Sequence, residues 1–430
     1  MIFSFNSIQA LYTLLWQLRA TITVSPSLHT AKIDASIPPL EPLTLMNERS
    51  LLYMLLSLSS VFFITPSGRA YEDLTPDEIV VVNIADCSHE GDIKPSSEKG
   101  VHAAAYRHHP TVDFVIHTHQ RAATIVSITG MEIRNVYDEF KGVLGNKVPC
   151  ADYAMSTTDS LRKKVEMCIQ MNPGSRAIML MHHGTLCMGD NYDHAFAIAE
   201  NLEKCCEKVI KDNYLRHSWD KVYSDDARRA FYLKKHNAGE MPAEICDLGS
   251  SVRNGNRFTL TVGGKSVDVD LETGLGINGI APKVEKIHRA IYNTENVTMI
   301  RHLATPDVVA VSCLDETMEP MIDDFAQIVG LDVKCVPWIN GDTDDCAKEI
   351  GKAVEKRNAV LVQGMGAMIT GNNDGDLQAL DIIMDKGAAA QIDCDIFNRS
   401  HYVPKAECFL MRTVYLAKYS KQIDEKYIDD

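Results

Sequence analysis

An internal repeat constrains the fold of this chain more strongly than any other feature of its sequence. Segments of the first half return in the same order, roughly 180 residues later, in the second half. VDFVIHTHQRAATIVS (112–127) returns as VTMIRHLATPDVVAVS (297–312), and AIMLMHHGTLCMG (177–189) returns as AVLVQGMGAMITG (359–371). A unit of this length that occurs twice predicts a duplicated domain rather than a solenoid of short repeats.

Within each copy, short apolar runs alternate with stretches of helical period, which predicts an α/β fold. Arg176–Met181 is a continuous apolar run, as expected for a strand covered on both faces. Gly263-Gly264 lies between two alternating runs and predicts a β-hairpin. A helix is expected from Pro95 to His108 with Ser96 or Ser97 as its N-cap, because serine is favoured there.

The polar segment from Lys234 to Gly249 predicts the boundary between the two domains, which we place over 61–240 and 250–430. Residues 1–60 do not follow the pattern of the rest. Pro26–Pro42 has no helical period, and the apolar run Leu51–Ile64 is too short to span a bilayer. We expect residues 1–60 to be either disordered or the product of a faulty gene model.

Composition excludes several classes of partner. The 430-residue chain has a net charge of −15 and no long basic run, so nucleic acid is not expected to bind. No segment resembles a membrane span or a secretory signal, so no membrane partner is expected. The 12 cysteines are scattered without C-x-x-C pairs, which is typical of a reduced, cytoplasmic protein rather than a disulfide framework.

Two histidines end one of the apolar strands. His117 and His119 are two residues apart, so in a strand their side chains project to the same side. His183 follows another apolar run, and the three imidazoles converge if the two strands are neighbours. His182 would point to the opposite face, which favours a supporting or structural role.

The repeat acts as an internal control for these histidines. His302 matches His117, but Ala304 stands in the place of His119, and Gly364 and Met365 stand where His182 and His183 would be. The apolar strands persist in both copies, whereas most of the histidines do not. The histidines of the first copy are therefore assigned to chemistry rather than to the scaffold.

Three neutral histidines with a fourth position open are typical of a catalytic zinc site, and we expect one zinc ion per chain. Manganese, iron and cobalt also suit imidazole ligands. Glu98 is expected to be either a displaceable fourth ligand or a general base beside the metal. A metal that chelates a carbonyl and its neighbouring hydroxyl would acidify the adjacent carbon by stabilising an enediolate.

Four motifs in the order PSSE, HTH, PCADYA and HHG resemble the class II aldolase/adducin family, in particular its L-fuculose-phosphate and L-rhamnulose-phosphate aldolases. The resemblance implies a three-layer α/β/α domain, here duplicated in tandem with a degenerate second copy. It also implies a set of functional residues. These are zinc ligands His117, His119 and His183, acid/base residue Glu98, proton donor Tyr153 from a neighbouring subunit, and phosphate-binding residues Ser67, Gly68, Ser96 and Ser97.

The function that this resemblance implies is cleavage of a ketose 1-phosphate to dihydroxyacetone phosphate and an aldehyde. Family members form cyclic tetramers, so we expect a homo-oligomer in which two tandem chains mimic a four-domain ring. The alternatives are a sugar-phosphate epimerase, a dehydratase or a non-catalytic adducin-like interaction module. Related epimerases tend to carry aspartate at the place of Glu98. A Gly-Asn-x-Ser phosphate-binding segment of the family is missing upstream of Thr65, where this chain has RSLLYMLLSLSS.

Overall fold

The computed structural model describes residues 60–69, 74–338 and 343–419. The expectation for residues 1–60 thus lies outside the described residues, apart from residue 60. Among the described residues, no helix combines the length and apolar character that crossing a bilayer requires. All twelve cysteines are free, so no disulfide constrains the fold.

The first half is built on a sheet of four strands in the order β3-β6-β5-β4, beside a separate antiparallel pair formed by β1 and β2. β3 and β5 both run antiparallel to β6, whereas β4 is parallel to β5. In chain order the elements of this half are β1 (Val61–Ile64), β2 (Val80–Asn83), α1 (Lys99–His108), β3 (Phe114–Thr118), α2 (Arg121–Ile128), α3 (Asp138–Leu144), β4 (Cys150–Ala151), α4 (Asp159–Met171), β5 (Ala177–Leu180), β6 (Gly184–Gly189), α5 (Tyr192–His217) and α6 (Asp225–Lys235).

Helices cover both faces of this sheet. α1 and α4 pack on one face, and α2 and α5 pack on the other. Every residue of β5 is buried, as its uninterrupted apolar sequence predicts for a central strand of a covered sheet. The expected three-layer α/β/α domain is therefore confirmed.

The second half repeats this order with an enlarged sheet. β10, β13, β12 and β11 occupy the places of β3, β6, β5 and β4, and β7, β8 and β9 extend the sheet beyond β10. In chain order its elements are β7 (Ser250–Asn254), β8 (Arg257–Val262), β9 (Lys265–Asp270), α7 (Glu285–Thr294), β10 (Met299–Leu303), α8 (Pro306–Ser312), β11 (Cys335–Val336), α9 (Thr343–Ala353), β12 (Ala359–Val362), β13 (Gly366–Gly371), α10 (Asp374–Ile396) and α11 (Lys405–Val414).

One apolar core joins the two halves. α10 of the second half packs against α2 and α5 of the first half, and α8 packs against α6. All five helices contribute to a single buried cluster. Arg228 of α6 crosses this junction, where both Oδ atoms of Asp393 accept hydrogen bonds from its guanidinium at 2.8 Å. Arg228 also pairs with Asp307, so the two halves share buried charges as well as apolar surface.

Most local predictions agree with the structure, and one helix start was wrong. The hairpin at Gly263-Gly264 is present, and both glycines have the positive φ that a tight two-residue turn requires. α1 begins at Lys99 rather than near Pro95, and its N-cap residue is Glu98 instead of a serine. Residues 94–96 stay extended because they form backbone hydrogen bonds with the turn at Thr65–Ser67.

Candidate metal centre

The pairing of two strands brings the three candidate histidines together. His117 lies within β3 and pairs with Leu186 of β6, and His119 follows directly after β3. His183 lies in the short turn that leads from β5 into β6. Because β3 and β6 are hydrogen-bonded neighbours, the end of β3 and the start of β6 meet at one edge of the sheet.

Gly184, which follows His183, permits this close meeting. A Cβ atom at Gly184 would lie only 2.4 Å from the Thr118 carbonyl oxygen, a separation that no side chain tolerates. The glycine therefore lets the turn approach the end of β3. The same approach brings the imidazole of His183 against those of His117 and His119.

The Nε2 atoms of the three rings point at one another. His117 Nε2 lies 3.1 Å from His183 Nε2 and 3.0 Å from His119 Nε2. Each Nδ1 faces an oxygen instead: His117 faces the Thr185 carbonyl at 2.9 Å, His119 faces Asp324 at 2.7 Å and His183 faces Asp323 at 3.3 Å. An Nδ1 that faces an acceptor carries the proton of a neutral ring, so each Nε2 presents a lone pair whenever its ring is neutral.

Three neutral imidazoles whose Nε2 atoms converge are the donor set that a metal ion requires, and a bound metal would take the place of the proton on His183. His117, His119 and His183 could therefore hold a metal ion. Neutral imidazole suits zinc and the other borderline divalent metals, and three protein ligands leave a coordination position free. The residues present thus fit the metal centre that the sequence predicts.

Burial and neighbouring carboxylates set the charge of this pocket. Burial lowers the pKa of His117 well below its ordinary value and that of His119 to about 4, so both rings are neutral at physiological pH. Burial also acts to lower the pKa of His183, but Asp323 and Glu98 outweigh it and raise that pKa to about 9. The pocket therefore favours a positive charge close to His183, and a bound cation would supply one.

Glu98 lies at the edge of the histidine cluster, as the sequence predicts. Its Oε1 is 4.0 Å from His183 Nε2 and accepts a hydrogen bond from the Thr157 backbone N–H at 3.0 Å. Burial raises the pKa of Glu98, which makes its carboxylate a better proton acceptor than an exposed one. From this position Glu98 can either complete the ligand set or move a proton beside it.

The four predicted phosphate-binding residues lie next to each other. The turn that holds Ser67 and Gly68 is bridged to the segment that holds Ser96 and Ser97, since Ser67 N–H donates to Lys94 and Ser96 N–H donates to Thr65. Ser97 also lines a cleft of about 340 Å³ beside α1.

Three cationic side chains line that cleft, namely Lys99, Arg107 and Arg162. Both arginines are paired with Glu166. Asp86 and Asp159 line the same cleft, so it offers hydroxyl groups and charges of both signs close to Glu98.

Tyr153 and His182 lie beside the cluster and make contact with the second half of the chain. The Tyr153 hydroxyl donates to Glu407 Oε2 of α11 at 2.7 Å, and its ring packs edge-on against His182. His182 Nδ1 donates to the Met321 carbonyl at 2.7 Å. His182 also has a positive φ of 64°, the backbone conformation of the turn between β5 and β6. We therefore assign His182 to the turn rather than to the metal site.

Two carboxylates of the second half belong to the site although the sequence analysis did not identify them. Asp323 and Asp324 lie between β10 and β11, and they face His183 and His119 respectively. Burial acts to raise the pKa of Asp324, but His119 and Lys386 outweigh it and hold the pKa well below its ordinary value. No local motif marks these aspartates, since they act on residues about 140 and 205 positions away in the chain.

Comparison with known proteins gives relatives that each match a third or more of this chain. L-fuculose phosphate aldolase of Escherichia coli (strain K12) is 34% identical over 140 residues, which cover 33% of this chain and 63% of that protein. The chain thus spans less than two thirds of the length of this relative. The 5-methylthioribulose-1-phosphate/5-deoxyribulose-1-phosphate aldolase of Escherichia coli O45:K1 (strain S88 / ExPEC) is 32% identical over 172 residues, 40% of this chain and 78% of that protein.

A solved structure named L-fuculose 1-phosphate aldolase matches 41% of this chain and 81% of its own chain, with 27% identity and a TM-score of 0.34. The family model for the class II aldolase and adducin N-terminal domain matches this chain twice, over residues 54–210 and 259–391. These two matches coincide with the two halves of the internal repeat, and together they include most of the chain. With two copies of its defining domain, the chain belongs to the class II aldolase and adducin N-terminal domain family.

Proposed function

We propose that this protein is a zinc-dependent aldolase that cleaves a ketose 1-phosphate into dihydroxyacetone phosphate and an aldehyde. The observation that carries the proposal is the convergence of three Nε2 atoms beside a largely buried carboxylate, Glu98. An interaction module has no use for such a donor set, whereas a carbon–carbon lyase needs both a Lewis acid and a base. The chain binds the metal through its first half, and one centre per chain is expected.

His117, His119 and His183 would hold the zinc ion, and the ion would polarise the substrate carbonyl as a Lewis acid. The protein residues fix where this happens. The imidazoles are locked by their Nδ1 contacts with Thr185, Asp324 and Asp323, so the three Nε2 atoms need little rearrangement to bind.

Glu98 is proposed to move the proton that cleavage of a ketose phosphate requires. In the cleavage direction, a base removes the proton from the substrate hydroxyl on the aldehyde side, and the carbon–carbon bond then breaks. Glu98 is suited to this because burial raises its pKa toward the working pH and the Thr157 N–H fixes the orientation of its carboxylate. The same carboxyl group can return a proton to the carbon of the enediolate.

The substrate phosphate is proposed to bind at Ser67, Gly68, Ser96 and Ser97. Hydroxyl groups and backbone amides bind an anion without the cost of burying a cation. Lys99 lines the neighbouring cleft and would add a positive charge beside these groups, whereas Arg162 is already paired with Asp159 and Glu166.

Tyr153 is proposed to serve the site of a neighbouring subunit in an oligomer, where its phenol would donate a hydrogen bond to the substrate oxygen that becomes the aldehyde oxygen. Burial raises the pKa of this phenol, which keeps it protonated as an acid should be.

The contact between the halves supports a ring. The loop of Asp323 packs on the His182 turn, whereas Glu139, the residue that matches Asp324 in the first half, pairs with Lys208 of its own half. A contact in which two different surfaces of neighbouring domains meet can repeat around a ring. Two chains would then form a ring of four domains. A mass measurement in solution tests this, and a monomer would contradict it.

The substrate class is proposed from the names of the relatives. They act on L-fuculose phosphate, 5-deoxy-D-ribulose 1-phosphate and 5-methylthioribulose 1-phosphate, all phosphorylated ketoses. We also place the protein in the cytoplasm, because a chain with twelve free cysteines suits a reducing compartment.

The decisive experiment combines metal analysis with a substrate panel. The purified protein should contain about one zinc per chain, and it should release dihydroxyacetone phosphate from at least one of the three sugar phosphates. The variant Glu98→Gln should retain the metal but lose about 10²- to 10⁴-fold in rate, as expected for loss of a general base. Glu200→Gln, at an exposed position of α5, is the matched control and should cleave at the wild-type rate.

Other outcomes of the same panel would replace the proposal. Interconversion of a sugar phosphate without release of a fragment would indicate an epimerase, and loss of water would indicate a dehydratase. A protein without metal and without turnover of any substrate would favour an adducin-like interaction module.

A further inference from the structure

The second half has lost the histidine ligands, but it packs directly on the ligands of the first half. Asp324 Oδ2 lies 2.7 Å from His119 Nδ1, and Asp323 Oδ2 lies 3.3 Å from His183 Nδ1. Both aspartates are buried, with exposed fractions of 8% and 0%. Burying a carboxylate costs free energy unless its charge is paired. The contact with an imidazole therefore accounts for the burial of each aspartate.

The loop that carries these aspartates is anchored to the first half by its backbone. The Asp323 N–H donates to the His182 carbonyl at 2.9 Å, and the Met321 carbonyl accepts from His182 Nδ1 at 2.7 Å. The Ser156 N–H donates to Asp323 Oδ2 at 3.2 Å. The two carboxylates are therefore held against the histidines by several contacts, rather than by one flexible side chain.

A third residue of the second half completes this set. Lys386 of α10 is buried, and its ammonium group donates to the His119 carbonyl at 2.8 Å. It also contributes a positive charge beside Asp324, which keeps that carboxylate ionised. His119 is thus held at its ring by Asp324 and at its backbone by Lys386, both from the second half.

We infer that Asp323 and Asp324 are positioning residues of the metal centre, through which the degenerate second half completes the site of the first. Asp324 is hydrogen-bonded to His119 Nδ1, so it fixes the proton there and directs the Nε2 lone pair at the metal. Asp323 lies within ion-pair distance of His183 Nδ1 and favours a proton on that atom rather than on Nε2. Partners of this kind orient a ligand ring and raise its basicity, and their removal lowers metal affinity by about 10- to 100-fold. The inference rests on the proposed function only in requiring that a metal ion binds the three histidines.

The two halves differ in what these carboxylates contact. The bridge between Ile133 and Val148 corresponds to that between Met318 and Val333, at the same offset of 185 positions that relates His117 to His302. At this offset Asp323 and Asp324 correspond to Asp138 and Glu139. Asp138 pairs with Lys141 and Glu139 pairs with Lys208, both within the first half. Both halves thus carry the two carboxylates, and those of the second half lie against the histidines of the first.

The test measures zinc affinity of the full-length chain by competition with a chelator. Asp324→Asn and Asp323→Asn preserve the size of each side chain and remove its charge, and we expect each to weaken zinc binding by about 10-fold, with a larger loss in the double variant. Asp345→Asn makes the same substitution at an exposed position of α9 and should bind zinc like the wild type.

Two further measurements separate positioning from a loss of folding. The thermal midpoint of the metal-free variants should stay close to that of the metal-free wild type, while the upward shift on adding zinc shrinks. The visible spectrum of the cobalt-substituted protein should change, because the ligand rings are less well oriented. A structural role alone would lower the metal-free midpoint and leave this spectrum as it is.

Each outcome addresses a distinct claim. Wild-type zinc affinity in Asp323→Asn, Asp324→Asn and the double variant would overturn the inference. If His119→Ala also bound zinc like the wild type, the metal centre itself, and with it the proposed function, would be wrong. Loss of zinc in His119→Ala together with unchanged affinity in both aspartate variants would reject only the positioning role.

Discussion

The two halves of this chain share a scaffold and differ in the polar residues that end its strands. His117 pairs with Leu186, the third residue of β6, and His302 pairs with Met368, the third residue of β13. The register of the two sheets is therefore the same at this point, and the match between His117 and His302 made from sequence is confirmed. It follows that Ala304 takes the place of His119.

The turn before β6 shows which features the scaffold itself requires. His182 and Gly364 occupy the same place, and both have a positive φ, of 64° and 70°. Gly184 and Gly366 follow, and a Cβ at either would lie 2.4 Å from a carbonyl oxygen of the neighbouring strand. The turn is thus common to both halves as backbone geometry, whereas the imidazole of His183 is present in the first half alone.

His302, which matches a predicted metal ligand but belongs to no metal-ligand cluster among the described residues, makes structural contacts instead. His302 Nε2 donates to the Met365 carbonyl at 2.7 Å, and the Leu248 N–H donates to His302 Nδ1 at 3.3 Å. Both ring nitrogens are therefore used by the backbone. The difference between the halves teaches that a histidine kept in a repeat is a candidate ligand only where its Nε2 remains free of such contacts.

The largest expected difference between the halves is in metal binding. His119→Ala removes one of three ligands, so the variant should lose almost all bound zinc and its aldolase activity should fall below detection. His302→Ala leaves buried backbone groups unpaired and should cost about 1–3 kcal/mol of unfolding free energy without loss of zinc. Metal analysis and chemical denaturation of both variants check this comparison. Loss of zinc in His302→Ala would show that the second half also carries a site.

A smaller effect is expected where the halves are joined. Arg228→Ala leaves the buried carboxylates of Asp307 and Asp393 without their common partner, which should cost about 3–5 kcal/mol of unfolding free energy. Urea denaturation measures the change. Arg134→Ala is the control, because Arg134 is 80% exposed and its pair with Glu132 should contribute little. Equal stability of the two variants would contradict a shared, cooperative core.

Substitution of the two turn glycines tests the feature that the halves have in common. Gly184→Ala and Gly366→Ala each force a Cβ against a backbone carbonyl, so each should cost about 1–3 kcal/mol. Gly366→Ala should cost more, because its φ of 99° is strained for any residue with a side chain. Thermal unfolding compares them. Only Gly184→Ala should also weaken zinc binding. Weaker zinc binding in Gly366→Ala would contradict this expectation.

The smallest effect is expected from restoring the ligands of the second half. Ala304→His combined with Met365→His gives that half three histidines, and we expect a second zinc to bind about 10- to 100-fold more weakly than the first. One reason is the backbone contacts of His302. The other is that Asp138 and Glu139, the counterparts of Asp323 and Asp324, pair with lysines of the first half rather than with the second half. Chelator competition measures both affinities, and Ala304→His alone is the control. Two sites of equal affinity would contradict the role assigned to Asp323 and Asp324.

Much of the architecture could be predicted from local pattern. Apolar runs located β3, β5 and β12, and Thr158 marked the start of α4, where its hydroxyl accepts from the Leu161 N–H. The predicted start of α1 was wrong, because Ser96 and Ser97 are favourable N-cap residues when only their neighbours in sequence are considered. Contacts of residues 94–96 with Thr65–Ser67 decide otherwise, and these cross a gap of about thirty residues.

The sequence alone determined the two-domain repeat and the residues in which the copies differ, because these are properties of order and identity along the chain. His117, His119, His183 and Glu98 could be identified in that way. Asp323 and Asp324 could not, because nothing local distinguishes them from surface acids. Only the packing of the second half on the first places two buried carboxylates against the histidines, since the free energy of a buried charge depends on its spatial neighbours rather than its neighbours in sequence.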